Sequence, residues 1–212
     1  SYLEALFVSV MDKDSFMQPI IRRIKRSDAS EMQSAILESV GHIGPWLDWC
    51  TPRYRLSDAV NWTLDAELKW QEGSDYRFVI EEPGSGMILG SVAIRTLCPH
   101  NRIGDLGFWL RKRALGQGHC TKATKLAIEY GFQQFGFERI EMRILPDNES
   151  SNAVAFRLGA SFDGLQADKI IHKGEAKMAN CYSFAAPSSC RKIYKSAEVT
   201  LINASVKSVC GF

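Results

Sequence analysis

The segment from Ile103 to Gly159 constrains the fold of this chain more than any other part of the sequence. β-Branched and aromatic residues between glycines predict a strand over Ile103–Leu110. A basic loop follows, whose cationic residues and glycines are Arg111, Lys112, Arg113, Gly116 and Gly118. Helical periodicity begins directly after the loop. The sequence therefore predicts a strand, a basic glycine loop and a helix in immediate succession.

The helix after the loop is predicted from about Cys120 to Phe135, because polar and apolar residues separate onto two sides at helical spacing. The polar side carries Lys122, Lys125, Glu129 and Gln133. The apolar side carries Ala123, Leu126, Ala127, Tyr130 and Gly131. A second strand over Arg139–Leu145 and a second helix ending at Leu158-Gly159 complete the segment.

The glycine loop has the composition of an anion-binding site. The first N–H groups of a helix have no partner inside it and lie at the positive end of its dipole. Glycines just before them let the backbone approach a phosphate closely, and an arginine adds a charge-assisted hydrogen bond. Glycines that only turn the chain are the simpler explanation of a lone GxG. The strand before the loop, its cations and the helix after it favour a phosphate ligand.

The spacing excludes two common phosphate-binding motifs. A dinucleotide fingerprint requires a third glycine where Thr121 stands, and a Walker loop requires GxxxxGK followed by Ser or Thr, which no window provides. The run Arg113-Ala114-Leu115-Gly116-Gln117-Gly118 instead resembles the Arg/Gln-x-x-Gly-x-Gly/Ala acyl-CoA pyrophosphate motif of the GNAT superfamily of N-acetyltransferases.

The resemblance covers roughly Pro19 to Ala185. GDLGFWL before the loop, GHCTKAT after it, and Pro146-Asp147-Asn148-Glu149-Ser150-Ser151 resemble the branch that acetylates the N-terminal serine or alanine of ribosomal proteins. It implies an α+β fold: a central mixed, mostly antiparallel sheet of about seven strands, splayed between strands 4 and 5 and flanked by about four helices.

The resemblance also implies acetyl-CoA as cosubstrate and no metal. Pantetheine would bind unpaired backbone groups after the first strand, and those N–H groups could hold the developing oxyanion. The pyrophosphate would take the glycine loop, and the head of the second helix would hold the pantetheine. The implied cosubstrate residues are Trp109, Leu110, Arg111, Arg113, Gly116, Gln117, Gly118, His119, Thr121, Asn148 and Ser151.

Three residues are candidates for catalysis. Many members of the superfamily protonate the leaving thiolate with a tyrosine seven residues after the asparagine, but Ala155 stands there, so Ser151 or water must serve. Asn148 and Ser151 are also ordinary helix caps. Asp105 stands where the family often has a glutamate, and Glu141 lies on the opposing strand; either could be the general base.

The acceptor end of the site is less well defined by the sequence. Trp46, Trp49 and Tyr54 lie in an aromatic stretch that walls the acceptor pocket in the resembled family, and core packing is the alternative. Gly159-Ala160 replaces the usual Gly-Phe, and Met178 stands where an acidic residue is common. Both departures weaken the transfer of N-terminal-peptide specificity more than that of acetyl-CoA binding.

The resulting hypothesis is an enzyme that moves an acetyl group from acetyl-CoA to a primary amine, on a protein N-terminus or a small molecule, by direct attack in a ternary complex. A drug- or polyamine-modifying acetyltransferase is one alternative, favoured by an acidic acceptor cleft. A non-catalytic acyl-CoA-binding module is the other, favoured by the missing tyrosine.

Composition limits the remaining classes of function. A net charge of +2 over 212 residues gives no argument for nucleic acid, and no apolar stretch reaches membrane-spanning length. The apolar N-terminus lacks a preceding basic segment, so a signal peptide is not expected. Six cysteines without a CxxC pair indicate free thiols in the cytoplasm. We expect one domain over residues 1–186 and an extension over 187–212 that packs on the sheet, is exchanged between subunits of a homodimer, or is loose.

The other elements follow from periodicity and capping residues. A helix from about Ala29 to Val40 would be capped by Ser27 or Asp28, and a second, running through Trp70, by Ser57. The remaining predicted strands are Ile20–Ile24, Tyr76–Glu81, Met87–Arg95, Phe162–Gln166 and Met178–Ala185.

Overall fold

The computed structural model describes residues 19–190, and within them the chain forms two compact units. The first unit contains the chain up to Glu72 together with Tyr76–Ala93 and Phe108–Thr124. The second contains Gly73–Asp75, Ile94–Gly107 and the chain from Lys125 onward. Among residues 19–190, no helix combines the length and the hydropathy that crossing a membrane requires. Residues 191–212 of the predicted extension lie outside the described residues.

Seven strands form one mixed sheet in the order β1-β2-β3-β4-β5-β7-β6. Antiparallel ladders join β1 to β2, β5 to β7 and β6 to β7, whereas β4 and β5 are parallel. The strands are β1 (Ile20–Arg23), β2 (Asp75–Glu81), β3 (Ile88–Cys98), β4 (Ile103–Leu110), β5 (Arg139–Ile144), β6 (Ser161–His172) and β7 (Glu175–Ala185). The predicted fold class is confirmed.

The parallel ladder in the second unit is short. It pairs Ile103 with Arg139, Gly104 with Ile140 and Asp105 with Glu141. Both strands continue past the ladder, β4 to Leu110 and β5 to Ile144. Directly paired residues of parallel strands point to the same face of a sheet, so the ladder places Asp105 and Glu141 side by side.

Four α-helices accompany the sheet within residues 19–190: α1 (Ala29–Ile43), α2 (Leu56–Glu72), α3 (His119–Gln134) and α4 (Glu149–Arg157). Short 3₁₀ turns occupy Arg26–Asp28 and Lys112–Ala114. The side of α3 predicted to be polar is exposed, and Ala123, Ala127 and Gly131 on its other side are buried. The predicted amphipathic helix is therefore confirmed.

Two predicted helix caps are wrong. Ser57 lies inside the first turn of α2, and Asp58 receives the Arg55 N–H on Oδ2 at 2.8 Å instead. Asp28 stands at the start of α1 but makes no side-chain capping bond to it. Its carboxylate accepts from Lys25 N and from the Arg22 guanidinium, because a charged partner nearby competes with the helix N–H groups.

The hairpin of β6 and β7 is longer than its predicted strands. Most of β6 is exposed, so the alternation that marks a half-buried strand is absent. Register shifts between Phe162 and Gly164 and between Gln166 and Ile170 interrupt its pairing further. Tertiary pairing with β7, rather than a local pattern, extends this strand.

Each unit has its own packed interior. In the first, α1 places Met32 and Ile36 against buried residues that include Val79 and Ile88. In the second, Gly131 of α3 lies close to the sheet: a Cβ there would come within 2.9 Å of Ile94 and Ile140 side-chain atoms. Glycine at this position allows a close helix-to-sheet approach, and an added side chain would require the ends of these two isoleucines to shift.

Candidate functional site

The glycine loop adopts a conformation open to a ligand. Gly116 and Gly118 both have φ of 76°, and a Cβ on either would meet no atom of residues 19–190 within 4 Å. The α3 helix begins directly afterwards at His119, and Lys122 N donates to Gly118 O at 3.1 Å. Because Gly118 has no side chain, it offers no side-chain acceptor to the first N–H groups of the helix. The loop therefore presents bare backbone before a helix start, as an anion site requires.

Side chains of the loop bond to one another. Gln117 Nε2 donates to Arg113 O at 3.1 Å, and His119 Nε2 lies 3.1 Å from Gln117 Oε1. Burial, with a smaller contribution from Lys122, lowers the pKa of His119 below its ordinary value. A neutral imidazole is therefore favoured beside the loop. Thr121 is half-buried in the first turn of α3.

Arg113 is held by a carboxylate that the sequence did not connect to it. Glu38 of α1 accepts from Arg113 Nη2 at 2.5 Å, from Nε at 3.0 Å and from the backbone N at 3.3 Å. The Arg113 hydrogen bond, with help from Arg111, lowers the pKa of Glu38 to about 2. Glu38 is therefore ionised at neutral pH and anchors the start of the loop.

Arg111 differs from the expected role in two ways. Its side chain is buried, with Nε donating to Glu38 at 2.7 Å and Nη1 to Glu31 at 2.6 Å, so it is not a cation at the rim of the loop. Its backbone N–H donates to Leu89 O at 2.6 Å. The expectation that this N–H is unpaired is therefore wrong, since the neighbouring strand β3 receives it.

Two further residues of α1 reach the same stretch of chain. His42 Nε2 lies 2.8 Å from Leu110 O, and His42 Nδ1 is buried with no hydrogen-bond partner in the described part of the chain. Ser39 Oγ accepts from Lys112 N at 3.1 Å. Sequence reasoning missed these contacts, although the seven- and four-residue spacings of Glu31, Glu38 and His42 place them on one side of α1.

The aromatic residues predicted for the acceptor are partly brought together. The Trp49 ring lies 6.1 Å from that of Tyr54 and 6.3 Å from that of Trp109 at the end of β4. Trp49 is 45% exposed and Trp109 is 8% exposed. The rings of Trp49, Tyr54 and Trp109 therefore form an aromatic group that extends from the surface into the interior. Burial raises the pKa of Tyr54 to about 12, which keeps its hydroxyl neutral. Trp46 lies in the turn after α1, where its N–H donates to Ile43 O.

The head of α4 is capped by Asn148. Its Oδ1 accepts from Ser151 N at 3.2 Å and from Ser150 Oγ at 3.0 Å, and the residue is buried. The capping role considered for this asparagine is thus present. Ser151 contributes its backbone N–H to the cap. The Ser151 hydroxyl is not part of that hydrogen bond.

Asn152 connects this helix start to β7, a contact that no sequence pattern indicated. Its Nδ2 donates to the carbonyls of Leu145, Pro146 and Asn148 at 2.8–3.3 Å. Its Oδ1 accepts from Tyr182 Oη at 2.8 Å and from Asn180 Nδ2 at 2.9 Å. A helix-interior asparagine with these partners fixes the turn that carries Asn148.

The two candidate bases lie on one face of the second unit. Arg143 donates to both oxygens of Asp105, at 2.6 and 3.1 Å, and Arg139 donates to Glu141 Oε1 at 2.7 Å. Arg139 also binds Asp163 at 2.6 Å. Both candidates are therefore members of an ion-pair cluster, and Asp105 has both of its oxygens engaged by one guanidinium.

A basic glycine loop between a strand and a helix start, in a seven-stranded mixed sheet whose strands β4 and β5 are parallel, matches the GNAT fold. The chain belongs to the GNAT acetyltransferase family: residues 19–161 match the Acetyltransferase (GNAT) domain. It is therefore an acetyl-CoA-dependent N-acetyltransferase, with acetyl-CoA as cosubstrate. Within residues 19–190, no group of three or more His, Cys, Asp or Glu side chains could hold a metal ion.

Named relatives are acetyltransferases too. YdaF of Bacillus subtilis, named provisionally as a ribosomal N-acetyltransferase, is 26% identical over 73% of this chain and 84% of its own. The ribosomal-protein-serine acetyltransferase of Escherichia coli is 29% identical over 36% of this chain and 43% of its own.

Two solved structures share the fold. RimL, a ribosomal α-N-protein acetyltransferase in complex with coenzyme A, gives a TM-score of 0.72 at 19% identity over 79% of this chain and 94% of that one. The microcin self-immunity acetyltransferase MccE, in complex with acetyl-CoA and AMP, gives 0.72 at 23% identity over 79% and 92%.

Proposed function

We propose that the protein transfers the acetyl group of acetyl-CoA directly to the α-amine of a protein N-terminus. The observation that carries the acetyl-CoA part of the proposal is the loop at Gly116 and Gly118, whose positive φ angles and open surroundings precede the start of α3. In this proposal the N–H groups of the loop and of the first turn of α3 hold the pyrophosphate. Arg113 and Thr121 add side-chain donors.

Each unit contains residues that the family resemblance assigns to the pantetheine, the end of β4 in the first unit and the head of α4 in the second. We propose that Trp109 and Leu110 contribute backbone groups. Arg111 contributes less, since its N–H donates to Leu89 O and its carbonyl already accepts from Ala114 N at 3.0 Å, which leaves only the second lone pair of that carbonyl. The Asn148 side chain accepts two hydrogen bonds through Oδ1, which leaves its Nδ2 to donate to the pantetheine.

The acetyl transfer moves protons at the amine and at the thiolate. The acceptor ammonium must lose a proton before its nitrogen attacks the thioester carbonyl, and the departing thiolate must gain one as the C–S bond breaks. The second proton that the nitrogen releases on forming the amide replaces the one given to the thiolate. We assign protonation of the thiolate to the Ser151 hydroxyl. For deprotonation of the ammonium we favour Glu141, acting through water, over Asp105, because Arg139 engages one Glu141 oxygen whereas Arg143 engages both oxygens of Asp105.

Exchanging each carboxylate for its amide tests this choice. Glu141→Gln should lower kcat and remove the acidic limb of the pH–rate profile, since the limb reports the base. Asp105→Asn should lower stability with a smaller change in kcat, because Arg143 loses its charged partner. If Asp105→Asn instead removes the acidic limb and Glu141→Gln keeps it, the general base is Asp105.

Direct transfer is favoured over an acetyl-enzyme. Cys120 is the thiol nearest the loop in sequence, and burial raises its pKa to about 12, so almost no thiolate is present near neutral pH. Incubation with radiolabelled acetyl-CoA alone should leave the protein unlabelled. Stoichiometric label on Cys120 contradicts the scheme.

The surface around the aromatic group favours a peptide over a polyamine. The exposed charged residues between Trp49 and the first turn of α2, with the neighbouring Asp48, are two acids and two bases: Asp48, Arg53, Arg55 and Asp58. A polyamine site needs an excess of negative charge, which this balanced set does not supply. The names of YdaF and of the E. coli relative point to ribosomal-protein acceptors as well.

Mass spectrometry with acetyl-CoA and a panel of amines tests the acceptor. Peptides beginning with serine or alanine should gain one acetyl group on the α-amine, and the same peptides with a blocked N-terminus should gain none. A small-molecule amine is the second candidate, supported by the fold shared with MccE. Acetylation of a small-molecule amine, such as a polyamine, in preference to every peptide supports the second candidate.

A further inference from the structure

The α1 helix contacts four successive residues that lead into the glycine loop. His42 bonds to Leu110 O, Glu31 and Glu38 to the Arg111 side chain, Ser39 to Lys112 N and Glu38 to Arg113. Residues on one side of a helix therefore determine the path of the chain into the proposed pyrophosphate site. Within this group, Glu38 bonds to both arginines.

The Glu38 carboxylate binds one particular edge of the Arg113 guanidinium. Its oxygens lie 3.0 and 3.1 Å from Arg113 Nε and 2.5 Å from Nη2. The other terminal nitrogen, Nη1, faces the Met87 sulfur, a weak acceptor, at 3.8 Å. A guanidinium has two edges that can each bind an oxyanion in a bidentate manner. Glu38 occupies the edge that contains Nε and leaves the edge formed by Nη1 and Nη2 for a second anion.

We propose that Glu38 is the positioning residue for cosubstrate binding: it holds Arg113 in the orientation in which the Nη1–Nη2 edge receives the CoA pyrophosphate. The inference rests on the proposed role of Arg113 in pyrophosphate binding. Arg113 has a half-exposed side chain with several rotatable bonds, and fixing it before the ligand arrives lowers the entropy cost of binding. Glu38 does not touch the ligand in this scheme.

Charge alone would give the opposite effect. Removing the negative charge of Glu38 makes the neighbourhood of the loop more positive, which favours an anionic ligand. If Glu38 acted only by repelling the anion, the protein would bind CoA more tightly after Glu38→Gln. If Glu38 positions Arg113, the protein binds CoA more weakly after the same substitution. The sign of the change in Kd separates the two.

The chain supplies a matched control in Glu31. Glu31 binds Arg111 Nη1 at 2.6 Å, and Glu38 binds Arg111 Nε at 2.7 Å, so either amide variant weakens the support of the same buried arginine. Only Glu38 also contacts Arg113. A loss of stability should therefore be shared by Glu31→Gln and Glu38→Gln, and a loss of CoA affinity should belong to Glu38→Gln.

The experiment measures CoA binding by calorimetry and steady-state kinetics with acetyl-CoA and with acetyl-pantetheine, which lacks the pyrophosphate. We expect Glu38→Gln to weaken CoA binding about tenfold and Glu31→Gln to change it less than twofold. With acetyl-pantetheine, kcat/KM of Glu38→Gln should equal that of Glu31→Gln, because both variants weaken the support of Arg111 and this thioester has no pyrophosphate for Arg113 to bind. Unchanged or tighter CoA binding in Glu38→Gln overturns the proposal, as does an equal loss with both thioesters.

Arg113→Ala distinguishes failure of this inference from failure of the proposed function. If Arg113→Ala leaves CoA affinity unchanged, the assignment of the pyrophosphate to Arg113 is wrong and the inference falls with it. If Arg113→Ala weakens binding but Glu38→Gln does not, only the positioning role is lost. In the Arg113→Ala background, adding Glu38→Gln should cause no further loss, because the positioned group is gone.

Discussion

The two helix starts that we assign to acetyl-CoA are built in opposite ways. The start of α3 follows Gly118, which has no side chain, and its approach is held from outside by Glu38, Ser39 and His42 of α1. The start of α4 is capped from inside by Asn148, which accepts the Ser151 N–H. The start of α3 therefore offers bare backbone to a ligand. At the start of α4, the Ser151 N–H is already bonded to Asn148.

This difference assigns different chemistry to the two helices. An uncapped start with a glycine loop offers several converging N–H groups, which suit a phosphate. A start with an internal cap offers its remaining side-chain groups, the Asn148 amide N–H₂ and the Ser151 hydroxyl, which suit the neutral pantetheine and the leaving sulfur. Substitutions that change the backbone before α3 should therefore lower CoA binding at the first helix start. Substitutions that remove a side-chain group should have their effect at the start of α4.

The largest expected effect comes from the bare backbone before α3. Gly118→Val adds a β-branched side chain at φ 76°, blocking the approach of the pyrophosphate, and CoA binding should fall below detection by calorimetry. The left-handed conformation should also lower the free energy of unfolding by about 1–2 kcal/mol. Gly174→Val, at φ 77° in the turn between β6 and β7, should show the same loss of stability with unchanged CoA affinity. Full affinity in Gly118→Val would remove the loop from the site.

A smaller effect is expected from the Ser151 hydroxyl. If it protonates the thiolate, Ser151→Ala should lower kcat and kcat/KM together by about a hundredfold, with little change in CoA affinity. Because the cap accepts the backbone N–H of Ser151, the variant should keep its stability. Ser150→Ala, one residue earlier, is the control and should keep full turnover. Undiminished kcat in Ser151→Ala leaves solvent as the proton donor.

The cap itself should have a moderate effect. Asn148→Ala should lower the free energy of unfolding by about 1 kcal/mol and weaken CoA binding by roughly three- to tenfold. Asn148→Asp keeps an oxygen to cap the helix but lacks the amide donor, so it should recover stability without recovering affinity. Thermal melting and calorimetry on the two variants measure these effects, and recovery of affinity in Asn148→Asp would limit this residue to capping.

The smallest effect concerns pH and the support of the glycine loop by α1. The hydrogen bond from Arg113 lowers the pKa of Glu38 from 4.5 to about 2, so this carboxylate stabilises the fold above its unfolded pKa. That contribution should decline as the pH falls from about 4.5 toward 2. Urea unfolding across this range should show the stability difference between the unmodified protein and Glu38→Gln narrowing as the pH falls. A difference that stays constant contradicts the pairing.

Much of the fold could be predicted from local patterns. The bounds predicted for β4, Ile103–Leu110, match the structure, and α3 begins one residue before its predicted start. The alternation and helical spacing that mark these elements extend over neighbouring residues only, so they can be read without knowing what packs against them. The glycine loop and the cap residue Asn148 could be recognised in the sequence for the same reason.

The contacts that define the site could not be predicted in this way. Arg111 and Glu31 are 80 positions apart, and Tyr182 bonds to an asparagine 30 positions earlier. Asp105 and Glu141 become neighbours only through the register of a parallel ladder. A sequence shows that these side chains can carry charge or donate hydrogen bonds, but it does not show which ones meet.

The sequence by itself determined the family, the glycine loop to which we assign acetyl-CoA, and most of the strands and helices, because short-range spacing and backbone conformation encode them. Only the tertiary structure decided that Arg111 is a buried support, that its N–H is already donated, and that Glu38 holds Arg113. The physical reason is that burial and pairing of a charge depend on which distant side chain supplies its counter-charge, and chain folding alone brings those partners together.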